Sequence, residues 1–247
     1  MIFKRTALKL STIILLVSLI LITIGLFASN MALKTAYNKL DKNDKYWNFN
    51  TVLRQPFKHL KIEGGNITQI VFEQAPTSAL RIAKYWTGYK NESNFKAYVS
   101  KDTLHITMVY NPKSGANREW MSNTSLIRIS APQLLSVNIN NTNFEWDDLK
   151  QNSLNVNMRG KSGFRVESMV SNIDTLKIIQ RDSTMAIFDF SSGYKGPRAL
   201  NFQHINADLY NRATLNIGAG FANDLKLNMG DSCSVILSGK SVSKLHK

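Results

Sequence analysis

LSVNI at residues 135–139, LNVNM at 154–158, LKIIQ at 176–180, LNFQH at 200–204 and LKLNM at 225–229 line up with one another. Each is followed by a second short run in which apolar residues alternate: Phe144–Trp146, Phe164–Val166, Met185–Phe188, Leu209 and Val235–Leu237. The five starts are 19, 22, 24 and 25 residues apart, and a further LNIGA begins at Leu215. In each segment the first and third residues are apolar, and the fourth reads Asn138, Asn157, Ile179, Gln203, Asn228. Successive side chains of a strand point to opposite faces. Stacked segments would therefore bury the apolar positions in one internal column and align the amides outside. A unit that can hide its apolar face only against neighbours of its own kind is the logic of a solenoid. A β-sandwich built from similar hairpins is the rival arrangement. The external ladder, Asn138, Asn157, Gln203 and Asn228, is the candidate exposed binding face.

Outward from these repeats the period remains two. Leu60 and Ile62, Ile70 and Phe72, Leu80 and Ile82, Leu104, Ile106 and Met108, then Ile127 and Ile129 mark further strands broken by Gly, Asn, Pro and Ser. No helical period longer than two turns occurs beyond residue 55. The stretches FKHLKIEGGNITQIVFEQAPTSALRI and LIRISAPQLLSVNINN, with the LxVxM units after them, resemble the auto-transporter adhesin head GIN domain common in Bacteroidota. The resemblance covers about residues 56–245. It implies a right-handed parallel β-helix-like solenoid and an envelope location. Family repeats carry Gly and a small residue after each strand. Here Gly160 keeps that pattern and Gly218 and Gly230 keep it in altered form, while Asn141, Asp182 and Asn206 stand elsewhere, residues that also tolerate tight turns.

The N-terminal part has different physics. LSTIILLVSLILITIGLFA, residues 10–28, contains no charge. About 20 apolar residues in helical form span the hydrocarbon of a bilayer. Lys4, Arg5 and Lys9 precede the segment, which places that end in the cytoplasm and translocates the rest of the chain. A cleaved signal peptide would have a shorter apolar core and a small-x-small site, where this chain has Leu26 and Ala28. The reading is an uncleaved anchor. The expected organisation is a cytoplasmic N-terminus at 1–9, a transmembrane helix at 10–28, a juxtamembrane linker or helix at 29–55, and an extracytoplasmic β domain at 56–247 in the periplasm.

Charge and chemistry narrow the function class. The formal charge is +14, and setting Lys4, Arg5 and Lys9 aside leaves 28 basic against 17 acidic residues. Such a surface attracts polyanions. Translocation argues against nucleic acid, so the candidate partners are membrane lipid through the helix, anionic envelope polysaccharide and another envelope protein. Cys233 is the only cysteine, so no internal disulfide staples the fold. His59, His105, His204 and His246 have no Cys or acidic neighbour at ligand spacing. Glu145, Asp147 and Asp148 form the one acidic cluster and read as a solvated turn rather than a calcium site. Gly160-Lys161-Ser162 and Gly239-Lys240-Ser241 lack the leading glycine of a phosphate loop, which is Asn155 in one case and Ser234 in the other. With no catalytic, cofactor or metal residues to name, the expectation is a non-catalytic binding or scaffold domain. A carbohydrate-active enzyme on the same scaffold is the alternative.

Overall fold

The computed structural model describes residues 10–39, 41, 43–65, 68–91, 93–109, 125–147, 149–166, 170–188, 199–218 and 221–237. Two units emerge, Met1–Trp47 and Asn48–Lys247. In the first, helix α1 spans Leu10–Asn38 without a buried residue. It is the one helix among the described residues long and apolar enough to cross a membrane. At 1.5 Å per residue its 29 residues reach about 44 Å. It therefore runs ten residues past Ala28, as Ala32, Leu33 and Ala36 favour helix. Thr23 and Thr35 add no unsatisfied group, because each hydroxyl donates to the carbonyl four residues back at 2.8 Å.

The second unit is mostly strand. Its elements are β1 (Phe49–Leu53), β2 (His59–Glu63), β3 (Gln69–Gln74), β4 (Ala79–Ala83), β5 (Phe95–Ser100), β6 (Thr103–Met108), β7 (Ser125–Ala131), β8 (Ser136–Asn140) and β9 (Asn143–Asp147). They continue with β10 (Lys150–Arg159), β11 (Gly163–Val166), β12 (Val170–Gln180), β13 (Met185–Ile187), β14 (Ala199–Leu209), β15 (Thr214–Gly218), β16 (Phe221–Met229) and β17 (Ser234–Leu237). Sheet A has the order β1-β4-β7-β3-β9-β11-β13-β15-β17, and sheet B the order β16-β14-β12-β10-β8-β2-β6-β5. The β unit begins at Asn48 rather than at Pro56, because Phe49–Leu53 is an edge strand of sheet A paired with β4.

From β8 onward the strands alternate between the sheets, and every pairing among them is parallel. The expectation of uniformly parallel pairing fails at the other end, where β1–β4, β4–β7 and β5–β6 are antiparallel. Both sheets are consequently mixed. The reason is local for β5 and β6: Lys101 and Asp102 both take positive φ, 48° and 57°. That is the two-residue turn that folds a chain back on itself as a hairpin.

Register corrects one repeat. Leu154 lies opposite Leu176, Leu176 opposite Ile205 and Ile205 opposite Leu225. Leu200 lies opposite Ser171 instead. The partner run of that repeat is Thr214–Gly218, not Leu209, which closes β14. Just ahead of β8 the backbone of Leu135 extends the ladder, its amide donating to the Lys58 carbonyl at 2.7 Å and its carbonyl accepting from Asn155 at 3.0 Å, but its side chain is only half-buried and the neighbouring Leu134 enters the core instead. The inner faces of both sheets form the core: Val137, Leu154, Val156, Leu176, Ile178 and Ile205 from sheet B, and Phe72, Phe144, Trp146, Phe164 and Phe188 beside or within sheet A, all at most 2% exposed.

From β8 onward the corner between each sheet-B strand and the next sheet-A strand is a left-handed residue. Asn141, Gly160, Asp182, Asn211 and Ser232 have φ of 52°, 65°, 66°, 63° and 65°. Asn211 and Ser232 occupy the corners in place of Asn206 and Gly230. Side chains of this column cap their neighbours: Gly160 N–H donates to Asp182 Oδ2 at 2.9 Å, Asn211 Nδ2 to Asp182 Oδ1 at 3.2 Å, and Lys161 N–H to Asn141 Oδ1 at 3.0 Å. Asp182→Ala should therefore lose two hydrogen bonds and place alanine at positive φ. A loss of about 1–3 kcal/mol is expected in urea unfolding of the full-length chain; no change would mean that the corner column contributes nothing.

Candidate functional site

The outer face of sheet B follows from alternation and register together. One row runs Tyr98, His105, Lys61, Asn138, Asn157, Ile179, Asp208, Asn228 across all eight strands. A second runs Ser100, Thr103, His59, Ser136, Asn155, Lys177, Asn206, Lys226. A third begins Lys96, Thr107, Glu63, Asn140, Arg159. Seven strand spacings of about 4.8 Å make the first two rows about 34 Å long.

Asn138, Asn157 and Asn228 share the first row, as alternation implies. Asn138 and Asn228 are exposed; Asn157 is half-buried and accepts from Arg181 Nη1 at 3.4 Å. Gln203 stands outside the row, and its side chain accepts a short hydrogen bond from Asn223 Nδ2. In β12, β14 and β16 two residues separate the inward side chains: Asp174-Thr175 between Ile173 and Leu176, Gln203-His204 between Phe202 and Ile205, Asn223-Asp224 between Ala222 and Leu225. Strict alternation places Gln203 correctly only if no such step intervenes.

Sequence reasoning missed the aromatic end of this face. Tyr98 is stacked on His105 with centroids 4.8 Å apart and planes 7° from parallel. Lys96 Nζ lies 5.5 Å from the Tyr98 ring centroid. The signal was present in FKAYVS-KD-TLHITM, two alternating runs around a two-residue turn. Further along, Arg181 Cζ lies 5.2 Å from the Tyr210 ring centroid. The three rows hold Lys61, Lys96, Arg159, Lys177 and Lys226 against Glu63 and Asp208. Lys61 and Glu63 pair at 3.7 Å, but both are about half exposed, so the attraction is weak.

The three described histidines all lie in sheet B, each engaged separately: His59 Nδ1 with Ser136 Oγ at 2.8 Å, His105 with Tyr98, His204 Nδ1 with Asp224 Oδ2 at 3.3 Å. His246 lies outside the described residues. Among the described residues no three His, Cys, Asp or Glu side chains gather at a metal-binding distance. The acidic cluster is divided: Glu145 is buried and bonded by Arg165, and Asp148 lies outside the described residues. Cys233 packs partly against the core, its thiol donating to the Asn211 carbonyl at 3.4 Å.

No family model and no curated protein matches the chain. Among solved structures, a candidate adhesin of Bacteroides fragilis is similar over 77% of this chain and 96% of its own, at 12% identity and TM-score 0.40. A candidate lipid-binding protein of Parabacteroides distasonis is similar over 78% and 94%, at 13% identity and TM-score 0.36. A candidate adhesin of Parabacteroides distasonis covers 77% and 96%, at 9% identity and TM-score 0.31. At these scores the likenesses carry no inference about what this chain does.

Proposed function

We propose that this chain is a membrane-anchored envelope protein whose β domain binds anionic polysaccharide, without catalysis, through the outer face of sheet B. The observation that carries the reading is the set of three largely polar rows, in which amides and hydroxyls are interspersed with basic side chains and the first of which ends on the Tyr98–His105 stack. Amides and hydroxyls exchange hydrogen bonds with sugar hydroxyls, an aromatic face receives the apolar side of a sugar ring, and the lysines meet its carboxylates or sulfates. The anchor is α1, with Lys4, Arg5 and Lys9 on the cytoplasmic side and the β domain in the periplasm. The strands β8–β17 are read as a parallel solenoid that supplies the long flat face. The family resemblance adds a right-handed sense.

The non-catalytic reading rests on spacing. The two carboxylates within the rows, Glu63 on β2 and Asp208 on β14, are four strand positions apart, about 19 Å. Paired carboxylates that cleave a glycosidic bond stand about 5–9.5 Å apart.

The test is binding of the full-length chain, in non-ionic micelles, to immobilised polygalacturonate and to neutral dextran at low salt. Retention on polygalacturonate alone is expected, weakening as salt screens the lysines. Tyr98→Ala should weaken it about tenfold, the equivalent of 1.4 kcal/mol. Retention on neither polymer, or equally on both, would refute the proposal.

A further inference from the structure

Sheet A carries a different feature at its β1 edge, independent of the polysaccharide reading. A groove of about 520 Å³ is lined by Arg54, Pro56, Thr77, Ser78, Ala79 and Arg81. Two arginines, a threonine and a serine thus line it, and among the described residues no acidic residue does.

The backbone of β1 explains how Arg54 arrives there. Thr51 pairs with Arg81 on the outer face of the sheet. Strict alternation would also turn Leu53 outward. Instead the register slips between Thr51 and Leu53, Leu53 pairs with inward-facing Leu80, and its side chain packs against the core. The residue after it, Arg54, then emerges exposed beside the groove. Bulges at sheet edges commonly re-aim a side chain in this way.

Arg81 is held from behind. Its Nη1 donates to Ser130 Oγ at 2.9 Å, and Ser130 Oγ donates to the Thr77 carbonyl at 3.1 Å. The same turn, Thr77 to Ala79, forms the wall of the groove. Arg81 also stands directly opposite Arg128 in the antiparallel β4–β7 register. Like charges opposite one another across a strand pair repel. Glu73 Oε2, 3.6 Å from Arg128 Nη1, offsets one of them, and the Phe49 ring lies 5.7 Å from the Arg128 guanidinium carbon. Arg54 adds a third arginine at this edge of the sheet. Asp147, the next acidic residue on this face, pairs with Glu73 from β9, three strand positions from β4.

We infer that this groove binds a phosphate group, with Arg54 and Arg81 as the charged donors and the Thr77 and Ser78 hydroxyls beside them. A planar guanidinium offers paired N–H donors that match phosphate oxygens, and such charge-assisted bonds are about twice as strong as neutral ones. The phosphate is either free or carried on a lipid headgroup.

Calorimetric titration of the full-length chain in non-ionic micelles with inorganic phosphate tests the inference. Saturable binding is expected, weakened at least about tenfold by Arg54→Gln and unchanged by Lys161→Gln, an exposed lysine away from the groove. Arg54 is exposed, so its variant should keep the circular dichroism of the parent. Repeating the titration in phosphatidylglycerol and phosphatidylcholine nanodiscs separates the sources. Loss of phosphate binding in phosphatidylglycerol alone identifies a headgroup ligand, and equal binding in both identifies free phosphate. Absence of saturable binding to the parent chain, or an Arg54→Gln variant with parental affinity, would overturn the inference.

Discussion

Trp146→Ala is expected to destabilise the β domain by about 3–5 kcal/mol, the range for emptying a fully buried large aromatic site. Trp146 is 0% exposed on the inner face of β9, where register sets it between Phe72 and Val166. Its ring meets Phe164 edge-on at 4.8 Å between centroids and stacks with Phe188 at 6.4 Å. Phe164 in turn stacks on Phe144 at 5.9 Å, so the indole anchors a row of rings passing through successive strands. Alanine would leave a cavity that these paired strands cannot close without breaking register. Trp146→Phe should cost much less. The indole Nε1 is buried without a hydrogen-bond partner among the described residues, and removing that donor recovers its desolvation cost of about 1–3 kcal/mol. Urea unfolding of the full-length variants, followed by far-ultraviolet circular dichroism, gives both values. A loss under about 1 kcal/mol for Trp146→Ala would mean that the ring row does not organise this core.

Arg165→Met should be of similar size, about 3–5 kcal/mol, by a different mechanism. Arg165 on β11 and Glu145 on β9 are register partners on the outer face of sheet A. Their side chains are only 7% and 6% exposed, and Arg165 donates through both Nε, at 2.9 Å, and Nη2 to the same carboxylate oxygen. Removing the guanidinium leaves a buried carboxylate without this partner, and the low-dielectric surroundings make that costly. The double variant Glu145→Leu with Arg165→Met removes both charges and should regain most of the loss, because two desolvation costs vanish with the one attraction. A double-mutant cycle in urea measures the difference. Additive losses would show that the two side chains do not act as a pair.

These two sites differ in how far they could be read from the chain. Trp146 lies in an alternating run, Phe144 to Trp146, so its inward direction follows from spacing alone. Glu145 appears in the same run as part of an acidic group, and nothing local to it announces a buried arginine 20 residues later. The ladder shows the same division. Asn138, Asn157 and Asn228 fall into one row because nothing interrupts the alternation between them and their apolar neighbours. Gln203 misses the row because, with the two-residue step at Gln203-His204, Ile205 and not Leu200 takes the register position opposite Leu176.

By itself the sequence determined the apolar helix from Leu10, the period of two beyond it, the apolar inner columns, and the corner residues Asn141, Gly160 and Asp182. All of these are set by a residue's own conformational and transfer preferences. Tertiary structure alone decided that β6 would pair with β2, that β4 would turn antiparallel beside β7, and that Tyr98 would meet His105. It also decided that the β1 slip would bring Arg54 to Arg81 across the groove. Alternation fixes which face a side chain takes, but any two strands with matching faces satisfy it equally. The choice among partners falls to chain connectivity, register and the pairing of buried charge, which exist only once the sheets have assembled.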